Sequence, residues 1–241
     1  MDKSEKILQI FVISWCGQHE NAMKIADSFK PSSVLVTIIF SDPNPAFSFN
    51  FKYHAIKRPN HLFWGDKFKA CLDECKSSSM LIIHADCFYH NWLELYEKCF
   101  LVITKYPNIG AWAPEVNNTF YDLKKTSIAA INKTTLDIVA HTSGTIFCLT
   151  KKVIDRMRRA EYEENVYGWG IGWMFISYLY SHDMIAVVDR SIKVEHSKLS
   201  GYNHSDADYY RRLFLNQLSI SEFTQYLTLN SFIMRSTQQK N

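Results

Sequence analysis

The chain has 241 residues, of which 47% are hydrophobic and 15% aromatic, and this composition excludes a disordered protein. The formal net charge is only +3, so no feature of the composition requires a nucleic acid partner. The six cysteines form no C-x-x-C pair and mostly lie in apolar runs, which is typical of reduced core thiols and not of a disulfide framework or a zinc site. The charged amino terminus precedes a stretch too short for a signal peptide or a membrane span, so we expect a cytoplasmic protein.

Apolar runs alternate with amphipathic stretches along the first half of the chain. Three continuous apolar runs predict buried strands at residues 7–14, 34–40 and 80–83. Apolar residues at helical spacing predict helices at residues 18–29, 62–76 and 92–106. The segment 47–59 is aromatic and basic and reads as a loop with a short strand. A strand, helix and strand in this order predict an α/β fold with a parallel sheet.

The second half is less regular. Further strands are predicted at residues 109–114, 145–150, 184–188 and 192–195. Helices are predicted over residues 151–159, over the apolar part of 167–180, and over 206–226. Between 115 and 142 the pattern weakens to turns and one or two irregular strands, which suggests one wall of a cleft. No repeat or linker divides the chain, so we expect one domain over residues 1–241.

The buried run 80–83 ends in His84, Ala85 and Asp86. Because His84 and Asp86 are two residues apart, an extended backbone points both side chains to the same side. An imidazole and a carboxylate at the carboxyl end of a buried strand suit a divalent cation and the phosphates it binds. The alternative is structural, with His84 capping the strand and Asp86 capping the helix near residue 91.

Five segments, in this order, resemble the GT-A glycosyltransferases, specifically the large inverting group related to the bacterial family 2 enzymes. They are I-F-V-I-S, I-I-F-S-D, L-I-I-H-A-D, T-S-G-T-I-F-C-L-T-K-K-V-I, and Y-G-W-G-I-G-W-M with a later V-E-H. The resemblance covers about residues 7–205. It implies a GT-A type α/β fold with a mostly parallel, twisted central sheet flanked by helices. It also implies a Rossmann-like nucleotide-sugar-binding half over about 1–115, an acceptor half over 116–205 and a helical segment over 206–241.

The resemblance assigns roles to individual residues. Asp42 matches the aspartate that contacts the nucleotide base, and Asp86 matches the second aspartate of the D-x-D motif, a direct ligand of Mn²⁺ or Mg²⁺. His84 stands where the first aspartate contacts ribose or sugar, and it could donate to a hydroxyl or phosphate or bind the metal. His196 matches the histidine that completes the metal shell, although a histidine at a strand end is also often structural.

Aromatic and basic residues near these positions are further candidates. Trp64 and Lys67, with Trp15, could frame the base or the pyrophosphate, and Trp169 and Trp173 could stack on sugar rings. For each of them, packing in the core or a solvated surface position is an equal alternative.

The general base is absent from its usual place. Inverting relatives carry an acidic residue in the glycine-rich motif to accept the proton of the acceptor hydroxyl, and Gly172 stands there in this chain. Glu163 or Glu164 could substitute if the preceding loop folds back, although a solvated charged turn is the simpler interpretation. Asp122 and Asp137 in the irregular middle section are further candidates.

These features predict a metal-dependent, inverting glycosyltransferase of glycan biosynthesis. It would move a sugar from a nucleotide-diphospho-sugar, a UDP-sugar by expectation, to a saccharide or lipid-linked acceptor. An association with the inner face of the membrane is left open. The polar segment 197–205 has the composition of a loop that closes over bound nucleotide. The alternatives are a transfer-deficient nucleotide-sugar-binding protein and a nucleotidyltransferase; the latter is disfavoured because W-C-G-Q-H-E is not a glycine-rich, basic loop.

Overall fold

The apolar runs form the strands of one central sheet in a computed structural model that describes residues 8–32, 34–197 and 203–238. The described strands are β1 (Leu8–Ser14), β2 (Val36–Phe40), β3 (His54–Lys57), β4 (Ser79–His84), β5 (Cys87–Phe88), β6 (Ile109–Val116), β7 (Ser127–Ala130), β8 (Leu136–Val139), β9 (Ile146–Thr150) and β10 (Ile185–His196). The described helices are α1 (His19–Ser28), α2 (Trp64–Glu74), α3 (Trp92–Lys105), α4 (Leu123–Thr126), α5 (Lys151–Met157), α6 (Ile171–Tyr180), α7 (His204–Leu215) and α8 (Ile220–Gln238).

The sheet has the order β3-β2-β1-β4-β9-β6-β10-β8-β7, and β5 pairs with β10 beside this path. Strands β1 to β4 are parallel to their neighbours within this group, whereas β9 runs antiparallel to both β4 and β6. The predicted α/β class is confirmed, as is the parallel arrangement of the strands in the first part of the chain. Antiparallel pairs enter only with the later strands.

Two hydrophobic cores cover the two faces of the sheet. Alternate residues of β1 point to opposite faces, so Phe11 and Ile13 join one core while Ile10 and Val12 join the other. Helices α2, α5, α6 and α8 pack on the first face, and α1 and α3 pack on the second. This arrangement explains why the central strands are continuously apolar in sequence: both of their faces are buried.

The carboxyl-terminal helical segment differs from the sequence prediction. One helix is expected over 206–226, but the chain forms α7 and α8 with a break between them. Ser219 and Glu222 form a capping box that begins α8: the Glu222 N–H donates to Ser219 Oγ (3.3 Å), and the Ser219 N–H donates to Glu222 Oε2 (2.7 Å). These bonds satisfy the free N–H groups at a helix start and so favour a new helix there.

Two predicted strands at 184–188 and 192–195 are one continuous strand, β10. The polar residues between them form a register shift instead of a turn. Asp189 Oδ1 accepts hydrogen bonds from the Ser191 N–H (2.9 Å) and from Thr135 Oγ1 (2.7 Å), so the buried carboxylate is satisfied inside the strand. Among the helices described, none is long and apolar enough to cross a membrane.

Candidate nucleotide and metal site

The carboxyl ends of β1, β2 and β4 meet at one edge of the sheet because these strands are parallel. The chain adds β2 and β3 on one side of β1 and then β4 on the other, so the strand order reverses between β1 and β4. Loops that leave a sheet at such a reversal diverge and open a crevice for ligands. Trp15, Asp42 and His84 stand at the ends of these three strands.

His84 lies at the centre of this edge. Only 8% of the residue is exposed, and its ring contacts Trp15 and Trp64 edge-on, with centroids 5.2 and 4.7 Å away. Its Nε2 is buried without a hydrogen-bond partner in the part of the chain that the structure describes. Burial lowers the pKa of His84 to about 4, so the ring is neutral at pH 7 and can accept or donate one hydrogen bond through Nε2.

Asp86 and His196 lie next to each other although 110 positions separate them in the sequence. Asp86 Oδ2 is 3.2 Å from His196 Nε2, and Ser197 Oγ donates to the same carboxylate at 3.4 Å. Burial is the largest single influence and opposes ionisation of the carboxyl group, but the hydrogen bond from His196 and the charges of His84 and His196 together outweigh it, so the pKa of Asp86 is lowered. Within the described ranges, Asp86 Oδ1 and His196 Nδ1 are buried without a hydrogen-bond partner.

The pairing of β5 with β10 brings these two residues together. Cys87 stands opposite His196 in this antiparallel ladder, and Asp86 immediately precedes Cys87. Ligand atoms of Asp86, Cys87 and His196 all lie within 4.8 Å of one another, and they form the one such group of His, Cys, Asp and Glu found among the described residues. His84, which the resemblance also suggests as a metal ligand, is not part of that group.

Lys67 is fully buried in α2 beside this edge. Its Nζ donates to the carbonyl oxygens of Leu62 (2.9 Å) and Phe63 (3.2 Å) and lies 5.6 Å from the Trp15 ring centroid. Burial lowers the pKa of Lys67 to about 8, so most molecules still carry the positive charge at pH 7. The ammonium group has three donors, and these contacts use two of them.

Asp42 has partners that the sequence does not predict. Its Oδ2 accepts from His19 Nε2 (2.9 Å), and its Oδ1 accepts from the Asn44 N–H (2.7 Å). Ser14 Oγ lies 2.7 Å from the other ring nitrogen of His19, and Phe47 stacks on that ring with centroids 4.4 Å apart. The carboxylate is thus fixed at the tip of β2, and its contact with a nucleotide base stays a prediction.

Glu163 and Glu164 are solvent-exposed. The loop that carries them folds against the first turn of α2, where the Gly65 N–H donates to the Val166 carbonyl oxygen at 3.2 Å. A Cβ at Gly65 would come within 1.8 Å of the Asn165 carbonyl oxygen, so only glycine allows this approach. The loop therefore lies beside Trp64, the neighbour of His84, but a catalytic role for either glutamate stays a prediction.

Gly172 lies in the first turn of α6, and the ring of His141 fills the space above it. A Cβ at position 172 would be 2.7 Å from both Cε1 and Nε2 of His141. The same imidazole stacks on Tyr121 with centroids 3.8 Å apart and contacts Trp173 edge-on at 4.6 Å, and Trp173 Nε1 donates to Tyr121 OH. Trp173 is therefore packed among aromatic rings, and only 3% of it is exposed.

Some candidates lie elsewhere or have structural partners. Trp169 packs near His204, with ring centroids 5.5 Å apart. Asp122 caps α4 by accepting from the Lys125 N–H, and Asp137 pairs with Arg190 at 3.0 Å. The expected closing loop falls mostly on residues 198–202, which lie outside the described residues.

No protein-family model and no curated protein sequence matches the chain. Its fold is similar to that of several solved glycosyltransferases. GalNAc-T7, solved with UDP, GalNAc and Mn²⁺, matches with a TM-score of 0.64 and 11% identity, over 89% of this chain and 48% of that one. This chain thus spans about half of the GalNAc-T7 chain.

Two further structures match at similar levels. The mannosyltransferase PcManGT from Pyrobaculum calidifontis, in complex with GDP-Man and Mn²⁺, gives a TM-score of 0.61 and 8% identity over 96% of this chain and 70% of that one. S. aureus TarS 1–349, in complex with UDP-GlcNAc, gives a TM-score of 0.54 and 10% identity over 95% of this chain and 81% of that one. The chain therefore has the GT-A fold, as its five motifs predict.

Proposed function

We propose that this chain is a metal-dependent, inverting glycosyltransferase that binds a UDP-sugar with Mn²⁺ or Mg²⁺ and transfers the sugar to a saccharide or lipid-linked acceptor. One observation carries the proposal. In the described part of the chain, eight buried side-chain polar atoms lack hydrogen-bond partners, and three of them, His84 Nε2, Asp86 Oδ1 and His196 Nδ1, belong to residues at the tip of β4 or beside it. Buried polar groups without partners are costly, so their concentration at one place favours a ligand there.

The residues at this edge divide into two sets. Asp86 and His196 supply the carboxylate and imidazole that suit a divalent cation, and the cation would neutralise the negative charge that develops on the leaving diphosphate. Among the described residues, Lys67 uses two of its three N–H donors, which leaves one for a phosphate oxygen, and the neutral His84 offers a single hydrogen bond to a ribose or sugar hydroxyl. The rings of Trp15 and Trp64 pack edge-on against His84. The GT-A neighbours with UDP, GDP-Man or UDP-GlcNAc support a nucleotide-sugar donor.

A second candidate function is a nucleotide-sugar-binding protein without transfer activity. The packing of His141 against Gly172 favours it, because the place of the expected general base is occupied by an imidazole instead of an acidic side chain. Both candidates require the same donor site and differ only in turnover.

Calorimetry with UDP and UDP-GlcNAc, each with and without Mn²⁺, tests the donor site. We expect Mn²⁺-dependent binding that weakens at least about tenfold in Asp86→Asn, which removes a charge while nearly keeping the shape of the side chain. Asp155→Asn is the matched control, because Asp155 is an exposed carboxylate paired with Lys151 on α5. Equal Mn²⁺-dependent affinities in wild type and Asp86→Asn would refute the metal assignment.

Turnover separates the two candidates. A panel of UDP-sugars incubated with saccharide acceptors and with Mn²⁺, followed by mass spectrometry, should show transfer if the chain is an enzyme. If Glu163 or Glu164 is the base, its alanine variant should lose about 10²–10⁴ in rate and keep its UDP affinity. Binding without any transfer or donor hydrolysis supports the second candidate.

A further inference from the structure

We propose that Cys87 is the third protein ligand of the metal site, and that the site therefore binds Co²⁺ or Zn²⁺ more tightly than Mn²⁺ or Mg²⁺. This inference rests on the metal site of the proposed function and goes beyond it, since the sequence predicts only a core thiol at this position.

The strand pairing places the sulfur correctly. Residues directly opposite each other in an antiparallel ladder project their side chains to the same face, and Cys87 is opposite His196. Asp86 belongs to the tight turn just before β5, and its carboxylate reaches the same imidazole. The three ligand atoms consequently lie within 4.8 Å of one another.

The distances suit a small cation. Two ligands held at about 2.1 Å from a tetrahedral metal ion lie about 3.4 Å apart. Asp86 Oδ2 and His196 Nε2 are 3.2 Å apart, close to that separation, and the Cys87 sulfur lies within 4.8 Å of a ligand atom of each. Cys87 is fully buried, so its thiol is shielded from solvent.

The chemistry of the ligand set then decides which metal binds. Mg²⁺ prefers oxygen ligands, whereas thiolate and imidazole favour softer ions such as Zn²⁺ and Co²⁺. Three protein ligands also leave a position open for a donor phosphate oxygen, as catalytic zinc sites do. His84, whose Nε2 has no hydrogen-bond partner among the described residues, is a polar neighbour of this cluster and not a member of it.

Titration of the chelator-treated protein with CoCl₂ tests the proposal by absorption and by calorimetry. A thiolate bound to Co²⁺ gives an intense near-ultraviolet charge-transfer band, which oxygen and nitrogen ligands do not give. We expect the band in the wild type, saturating at one equivalent. Stoichiometric ZnCl₂ should abolish it, and a large excess of MgCl₂ should leave it unchanged. Wild type that binds one Co²⁺ without the band would overturn the proposal, whether or not any variant folds.

Cysteine variants identify which residue supplies the metal-bound sulfur. Cys87→Ser should lose the band and bind Co²⁺ at least about tenfold more weakly, since even residues that only support metal ligands are worth about 10–100-fold. Cys75→Ser, another buried cysteine, and Cys16→Ser, an exposed one, should keep both band and affinity. Unchanged affinity in a folded Cys87→Ser protein contradicts the role of Cys87 while leaving Asp86 and His196 as ligands. Failure of wild type to bind any of these ions would remove the metal site and the proposed function together.

Discussion

At the scale of single residues, the contact between Gly172 and His141 is the feature that most constrains the chemistry. Sequence reasoning suggests that a carboxylate at position 172 could restore a base, provided that the backbone there does not require a positive φ. The backbone at Gly172 is helical, so this condition is met. The obstacle is steric, because the edge of the His141 imidazole lies where the Cβ of a new side chain at position 172 would be.

We therefore expect Gly172→Ala, and the larger Gly172→Asp, to destabilise the protein by about 1–3 kcal/mol through overpacking. In a His141→Ala background the same substitutions should cost little, because the ring is gone. Urea unfolding of the wild type, both single variants and the double variant measures this coupling. An identical cost of Gly172→Ala in both backgrounds would show that the two residues do not compete for space.

At the scale of secondary-structure elements, Glu222 connects two helices. It caps the start of α8 through Ser219, and its carboxylate accepts from Arg156 of α5 in a two-bond ion pair, with Nε to Oε1 at 2.6 Å and the second nitrogen to Oε2 at 2.9 Å. Only 11% of the Arg156 side chain and 3% of the Glu222 side chain are exposed. Losing one partner leaves a buried charge without compensation.

Glu222→Ala should therefore lower the free energy of unfolding by about 3–5 kcal/mol. Glu222→Gln should keep the capping bonds, because glutamine serves equally in a capping box, and lose the ion pair alone. Chemical denaturation of both variants separates the two contributions. Asp155→Ala is the control; its exposed pair with Lys151 should contribute no more than about 1 kcal/mol. A similarly small effect of Glu222→Ala would contradict the structural role.

Helix α8 also shows why the sequence predicts one helix after residue 206 where the structure has two. The apolar spacing after residue 206 looks like one helix, since a capping box is a local polar signal that periodicity does not register. That signal is S-I-S-E at 219–222, which matches the capping-box pattern and can be recognised in the sequence alone. The central strands were predictable because burial on both faces forces continuous apolar runs such as residues 80–83.

The site was predictable to different degrees. Asp86 and His84 follow directly from the strand that delivers them, whereas the partnership of Asp86 with His196 came only from the family resemblance. Cys87 was missed because a buried cysteine in an apolar run looks like a core residue. His141 lies in the weakly patterned middle section, and its contact with α6 has no counterpart in the local sequence.

At the scale of the whole molecule, buried neutral histidines make the folded state sensitive to acid. Burial lowers the pKa of His141 to about 4, and its Nδ1–H donates to the Thr142 carbonyl oxygen at 2.6 Å. Between about pH 4 and pH 6.5, the unfolded chain binds a proton that the folded chain does not. The free energy of unfolding therefore falls as the pH falls through this window. The loss of stability that His141 causes is complete below about pH 4.

We expect the loss from His141 to reach at most about 3 kcal/mol, the equivalent of moving a pKa from 6.5 to about 4. Urea unfolding at a series of pH values measures it. His141→Gln should weaken the dependence between pH 4 and 6.5 and leave the part that the buried His84 contributes, whereas replacement of the exposed His54 by glutamine should leave it as in the wild type. A wild-type stability that is constant over this range would contradict the burial of neutral histidine.

The packing of His141 on Gly172 also constrains the order in which substitutions at these two positions can occur during evolution. A lineage with a side chain at position 172 could admit the imidazole only after that side chain had shrunk to glycine. A lineage with the present pair can regain a side chain at 172 only after position 141 has become smaller. Each direction that avoids overpacking passes through an intermediate with a cavity, so we expect the two positions to change one after the other and not independently.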